Sequence, residues 1–209
     1  MDYIVIDNLL SSDKADEIEN LMNTLKWDKI PYGGSPKEFG WVDGVHYDKE
    51  QFQCIIDETE HEKIVTEYVA DKIKEHLGDR VFVSAKFNKV GPPDIEWVEN
   101  IHGGPHIDST APGLLSALYY VNDSDGDTFL YDQVWDIEDI DENPKELTLK
   151  TRVSPKKNRL IIFNGHNWHS AGVPSSGIRY ALNMNWSDPI DWTNVLFEDT
   201  ATGEMVKIC

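Results

Sequence analysis

Cysteine is scarce in this chain of 209 residues: Cys54 and the terminal Cys209 are the whole complement. Neither sits in a CxxC pair, and no disulfide framework can be read from two. Positive charge is scarce as well. Asp and Glu number 38 against 19 Lys and Arg, a formal net charge of −19. That balance repels phosphate backbones and anionic bilayers, which argues against nucleic-acid and membrane partners. No apolar run approaches the roughly 20 residues of a membrane span. The start, Met1-Asp2-Tyr3-Ile4-Val5-Ile6-Asp7, has neither the basic residues nor the long apolar stretch of a secretory leader. The expectation is a cytoplasmic protein, in which the sequons at Asn122 and Asn185 carry no glycan. P-loop and dinucleotide fingerprints are missing, and so is a G-x-S-x-G nucleophile elbow.

What is present suits one packed domain. Seven Trp and eight Tyr favour a globular core over disorder. The length fits a single domain spanning 1–209, with no linker in view. Asp2 to Asp7 reads as a short strand. Ser11, Ser12 and Asp13 offer N-caps for a helix through about residue 26, with Ile18, Leu21, Met22 and Leu25 on one face. A second helix is predicted over about 60–77 and ends at Gly78. From residue 80 the period shortens to that of strands: 81–87, 114–121, 128–131, 147–153, 160–163 and 178–186. The expected class is α+β, mainly β, with a helical part over about 10–78 and a β core over about 80–190. Segments 31–57, 91–104 and the acidic 132–146 are expected to be loops or short strands that shape an entrance.

One constellation carries chemistry. Gly103-Gly104-Pro105 lets the chain turn into a short extended segment, His106-Ile107-Asp108. Side chains alternate along an extended chain, so His106 and Asp108 point the same way and can grip one ion. His169 opens a further extended piece, His169 to Val173, and is a better third ligand than His166 in its Asn-Gly turn. Two imidazoles and one carboxylate on one face of a metal form the facial triad of non-haem Fe(II) oxygenases. The same three residues also suit Zn. Arg179 begins the strand Arg179 to Trp186. Tyr180, Leu182, Met184 and Trp186 make a bulky face there, while Arg179, Ala181, Asn183 and Asn185 make a small or polar one. An arginine aimed into a polar lining is suited to hold a carboxylate. In 114–122, Ser116, Leu118 and Tyr120 share one face. The acidic run Asp123, Asp125, Asp127 has its glycine in the wrong place for a calcium loop and reads as a turn.

From His106 to Trp186 the chain resembles the Fe(II)/2-oxoglutarate-dependent dioxygenases, and among them the prolyl-4-hydroxylase-like branch. The matching pieces are P-H-I-D at 105–108, A-L-Y-Y-V-N at 117–122, G-D-T-F-L-Y at 126–131, N-R-L-I-I-F at 158–163, W-H-S at 168–170 and R-Y-A-L at 179–182. The resemblance implies a double-stranded β-helix (jelly roll) braced by N-terminal helices, with Fe(II) held by His106, Asp108 and His169. It implies that Arg179 pairs with the distal carboxylate of 2-oxoglutarate, that Tyr120 bonds the same group, and that Asn88 is a candidate for a further cosubstrate contact. The reaction implied is hydroxylation of a C–H bond with O₂, releasing succinate and CO₂. Ascorbate is a candidate reductant, and a peptidyl proline, another peptide side chain or a small molecule is the candidate substrate. Two departures stand out: one glycine, Gly126, where relatives have two, and a long segment from Val90 to Gly104. Two other readings use the same residues, a non-catalytic metal-holding β-barrel and a Zn hydrolase.

Overall fold

A computed structural model describes residues 3–29, 49–56, 64–93, 96, 102–135, 146–189, 196–198 and 205–207. Alternating side chains build its principal layer, an antiparallel sheet of seven strands. In spatial order these are β1 (Ile4–Asp7), β8 (Arg159–Asn164), β5 (Leu115–Tyr120), β10 (Arg179–Ser187), β4 (Val81–Pro93), β3 (Lys49–Ile55) and β2 (Asp28–Lys29). A smaller antiparallel sheet is formed by β7 (Leu149–Val153), β6 (Thr128–Val134) and β9 (Asn167–Ala171). A separate hairpin pairs β11 (Leu196–Glu198) with β12 (Met205–Lys207). This is a mainly β, antiparallel jelly-roll architecture.

The two faces of the large sheet are chemically distinct. Leu115, Ala117 and Tyr119 of β5, Leu182, Met184 and Trp186 of β10, and Phe87 of β4 belong to one buried cluster. The same cluster contains Ile18 and Met22, from the helix α1 (Ser12–Leu21) and its cap, and Ile73 and Leu77 of α2 (Asp71–Leu77). Phe87, Ile18 and Ile73 are fully buried, and each such side chain contributes about 1.5–3 kcal/mol by leaving water. On the opposite face, Leu118, Tyr120, Ile161, Phe163 and Ala181 pack against Leu130 and Val153 of the small sheet. The two sheets therefore face each other as a sandwich, with the polar residues of β4 and β10 turned into the gap.

Several boundaries differ from the sequence reading. Helix α1 stops at Leu21, not near 26. Asn23 N and Thr24 N bond back three residues to Asn20 O and Leu21 O, and the Trp27 indole donates to Met22 O at 3.2 Å. These bonds tighten and close the last turn, so the helix cannot continue. The second helix is described only from Ile64, where wide π-type turns over Ile64–Ala70 run into α2. Its expected start at 60–63 lies outside the described residues. Strand β4 continues to Pro93, past the expected end at 87, because β3 and β10 pair with it on both sides. Segment 31–57 holds β3, while residues 30–48 lie outside the description, as do 97–101 and 136–145 of the other two expected loops. No helix among the described residues is long and apolar enough to cross a membrane.

Candidate metal centre

The Gly-Gly-Pro turn delivers the H-x-D segment against β9. His106 and His169 face each other in an antiparallel bridge, with backbone bonds of 2.9 Å in both directions. Asp108 emerges on the same side two residues later, and its N–H donates to Gly165 O. One potential ligand atom from each of His106, Asp108 and His169 lies within 4.8 Å of the others. His169 Nε2 is 3.6 Å from Asp108 Oδ1, and the imidazole centroids are 4.5 Å apart.

The surroundings set the chemistry of each group. His169 Nδ1 meets Asn167 O at 2.9 Å, and His106 Nδ1 meets Gly104 O at 3.1 Å. A carbonyl has no hydrogen to give, so both Nδ1 atoms donate, which leaves each Nε2 lone pair free for an ion. Asp108 is more heavily supported. Ser116 Oγ–H donates to Oδ2, and Asn183 Nδ2 donates to Oδ1 at 3.1 Å. A hydroxyl has a single hydrogen, so Asn185 turns its amide nitrogen to Ser116 Oγ (2.9 Å) and Asp108 Oδ2 (3.2 Å). Neutral donors from β5 and β10 thus hold the carboxylate in place.

Titration behaviour follows. Burial alone would raise the Asp108 carboxyl, but His169, His106 and the Ser116 hydrogen bond outweigh it and hold the group well below the usual carboxylate range. His106 stands at the rim, exposed on one side and crowded by protein on the others. That crowding, with His169 beside it, lowers its pKa to about 4. His169 is opposed by burial, but the Asp108 charge prevails and raises it. Two nitrogen donors and one ionised carboxylate are the donor set a divalent first-row metal prefers. These residues fit such an ion.

Arg179 lies further along the same gap and is only 2% exposed. Its Nε donates to Gly126 O and its Nη2 to Thr128 Oγ1, both at 2.9 Å. The guanidinium carbon lies 5.6 Å from the centre of the Tyr120 ring. No carboxylate lies within ion-pair distance of it among the described residues. Burial lowers its pKa, with Tyr120 and Asp127 offsetting part of that. A guanidinium nevertheless stays protonated. The backbone is tight here: a Cβ on Gly172 would meet Asp127 O at 2.5 Å, and one on Gly126 would meet Gly172 O at 2.8 Å. The single glycine at 126 therefore has a steric reason, and Gly172 supplies a second one across the contact.

The cavity between the two ends is lined by Lys86, Asn88, Thr128, His169, Arg179 and Asn183, among others. Asn88 is among these lining residues. Tyr120 is placed differently. Its hydroxyl donates to Thr128 Oγ1 at 2.7 Å, and Thr128, not Tyr120, lines the cavity. His166 is turned away, with Nε2 at 2.9 Å from Ala111 O and its ring against Trp135. Sequence reasoning missed Ser116, Asn183 and Asn185 as supports of Asp108, Thr128 as the partner of Arg179, and Lys86. The alternation of β5 and β10 had already put the first three on the site face.

No protein-family model matches the sequence, and no curated protein matches it. Solved structures do. A prolyl hydroxylase from Trichoplax adhaerens, in complex with a hypoxia-inducible-factor peptide fragment, shares 16% identity, with 89% of this chain and 83% of that one covered and a TM-score of 0.57. The non-haem α-ketoglutarate-dependent carbocyclase SnoK of nogalamycin biosynthesis shares 13%, covering 89% and 79%, with a TM-score of 0.63. HygX from Streptomyces hygroscopicus, with nickel, 2-oxoglutarate and hygromycin B bound, shares 11%, covering 90% and 83%, with a TM-score of 0.56. The chain has the fold of the 2-oxoglutarate–Fe(II) oxygenases.

Proposed function

We propose that this protein is an Fe(II)- and 2-oxoglutarate-dependent dioxygenase that hydroxylates a C–H bond and releases succinate and CO₂. One observation carries the reading. A buried arginine with no carboxylate at ion-pair distance among the described residues and a two-histidine, one-carboxylate cluster open on the same cavity. A Zn hydrolase would use the cluster but has no need of the arginine. A dicarboxylic 2-oxo acid uses both.

In this reading His106, Asp108 and His169 hold Fe(II), and ascorbate is a candidate for keeping it reduced. When bound, the ion supplies activation of O₂ for C–H oxidation, coupled to decarboxylation of the 2-oxo acid. The rest is done by the chain. Arg179 offers its guanidinium to the distal carboxylate, and Thr128 offers its hydroxyl beside it. Tyr120 acts through Thr128, fixing its rotamer. Ser116, Asn183 and Asn185 hold Asp108 ionised and oriented. Leu118 and Phe163 give the cavity apolar walls, which strengthen each charge–charge contact by excluding water.

A peptidyl proline or another peptide side chain is the substrate suggested by the motif resemblance and by the peptide bound to the Trichoplax adhaerens structure. Hygromycin B in the HygX structure keeps small molecules in the same frame. The test is conversion of 2-oxoglutarate to succinate in air with Fe(II) and ascorbate. Succinate formation that His169→Ala abolishes is expected. Binding of both Fe(II) and 2-oxoglutarate with no succinate under any tested condition would instead make this a metal-holding binding module.

A further inference from the structure

A second cation faces the cavity, and neither the metal cluster nor the arginine end accounts for it. Lys86 lies on β4 directly opposite Asn183 of β10, while Arg179 lies opposite Val90. The two cations are thus separated by four residues along the same strand pair, about 13 Å at roughly 3.3 Å per residue. Asn183 bonds Asp108, so Lys86 stands level with the metal cluster and away from the arginine end. Among the described residues its ammonium makes no hydrogen bond and no ion pair. In a chain of net charge −19, a half-buried lysine that lines the cavity with no acidic partner among the described residues is not explained by solubility.

Charge balance indicates what is missing. With the proposed occupants bound, the metal ion and Arg179 bring three positive charges. Asp108 and 2-oxoglutarate bring three negative ones. Lys86 then leaves one positive charge over, on a half-buried side chain that faces the metal end of the cavity. Fe(II) increases the demand, because a cation beside the ion repels it.

We infer that Lys86 receives a carboxylate of the primary substrate, so that the substrate is an acid with its carboxylate a few atoms from the carbon that is oxidised. The inference rests on the dioxygenase reading and narrows it. A free amino or organic acid fits, and so does a peptide with an acidic residue beside the oxidised one. A proline flanked only by neutral residues does not. Asn88, between Lys86 and Arg179 on the same face, offers an amide to the neutral part of either ligand.

The experiment uses protein loaded with Zn(II) and 2-oxoglutarate, which binds without turning over, and calorimetric titration with matched probes. One set pairs free L-amino acids with their amides. The other pairs proline-containing tripeptides carrying Glu beside the proline with the same peptides carrying Gln. The expected result is an acid member that binds at least about tenfold more tightly than its neutral partner. Lys86→Met removes that preference and leaves 2-oxoglutarate affinity within about twofold. Preference in the first set identifies a free acid, and preference in the second a peptide. Equal binding of acid and neutral partners, an unchanged preference in Lys86→Met, or no binding by any acid would overturn the inference. So would a Lys86→Met variant that loses 2-oxoglutarate as strongly as the acid, since Lys86 would then serve the cosubstrate. Failure of the wild type to bind 2-oxoglutarate with Zn(II) would overturn the dioxygenase reading first, and this inference with it.

Discussion

At one end of the cavity an anion, Asp108, sits among neutral donors; at the other a cation, Arg179, sits among neutral acceptors. The first is already satisfied. Three polar side chains hold the carboxylate, and the two imidazoles beside it present lone pairs. This end lacks only a cation. The second end is satisfied in its hydrogen bonds to Gly126 and Thr128 but not in its charge. It lacks an anion. Two incomplete electrostatic sites of opposite need, facing one cavity, are what a metal-chelating dianion would complete. Neither end alone argues for that ligand.

The comparison is broken most severely at the metal end. His169→Ala removes one of three ligands. Replacing groups that only orient a ligand costs about 10–100-fold in metal affinity, so the loss here is expected to exceed about 100-fold. Anaerobic titration with Fe(II) measures it, and unchanged affinity would remove His169 from the site. Arg179→Met breaks the other end. Truncating a buried charged partner costs about 2–5 kcal/mol of binding, so 2-oxoglutarate affinity should fall by that amount while metal affinity holds. The ligand-free variant should be as stable as wild type or more so, because a buried charge without a partner has been replaced by an apolar chain. Thermal unfolding of the two ligand-free proteins checks the sign. A lower Tm would mean that the hydrogen bonds to Gly126 O and Thr128 Oγ1 outweigh the cost of burying the charge.

Asn183→Ala tests the support around Asp108. It should weaken metal binding by about 10–100-fold and leave 2-oxoglutarate binding to the loaded protein nearly intact. Equal loss of both would show that the two ends are not separable. The smallest effect is expected at the sheet edge. Asp7 and Arg159 form a two-point pair at 2.6 and 3.0 Å, with the Asp7 side chain 52% exposed. The Arg159 hydrogen bonds lower the Asp7 pKa. A depressed folded-state pKa gives stability that is complete above the unfolded value, about 3.9, and is lost as pH falls through the folded one. Exposed pairs are worth about 0.2–1 kcal/mol. Asp7→Asn should therefore lower stability by no more than that at pH 7, and the difference should vanish in acid.

Much of this arrangement was legible in the chain because strands report it with a period of two. Alternation along 179–186 separated Arg179 and Asn183 from Leu182 and Met184, and the structure divides β10 the same way. Ser116 and Tyr120 were likewise put on one face of β5. Less legible were features fixed by distant pairing. Lys86 lies within the strand-like stretch 81–87, but its place opposite Asn183 is set by the pairing with β10, and Asn88 reaches the cavity only because β4 runs on between β3 and β10. The bond from the Tyr120 hydroxyl to Thr128 Oγ1, eight residues on and across the sheets, is likewise not visible in the strand period. The premature end of α1 depends on the Trp27 indole folding back on Met22, which no helical period reveals.

The most direct test of the central claim is the visible spectrum of the protein with Fe(II) and 2-oxoglutarate under anaerobic conditions. A weak charge-transfer band should appear only when both are present. It should be abolished in His169→Ala and should require far higher 2-oxoglutarate in Arg179→Met. A full band in His169→Ala, or one whose 2-oxoglutarate dependence is unchanged in Arg179→Met, would contradict the assignment of the two ends to one ligand.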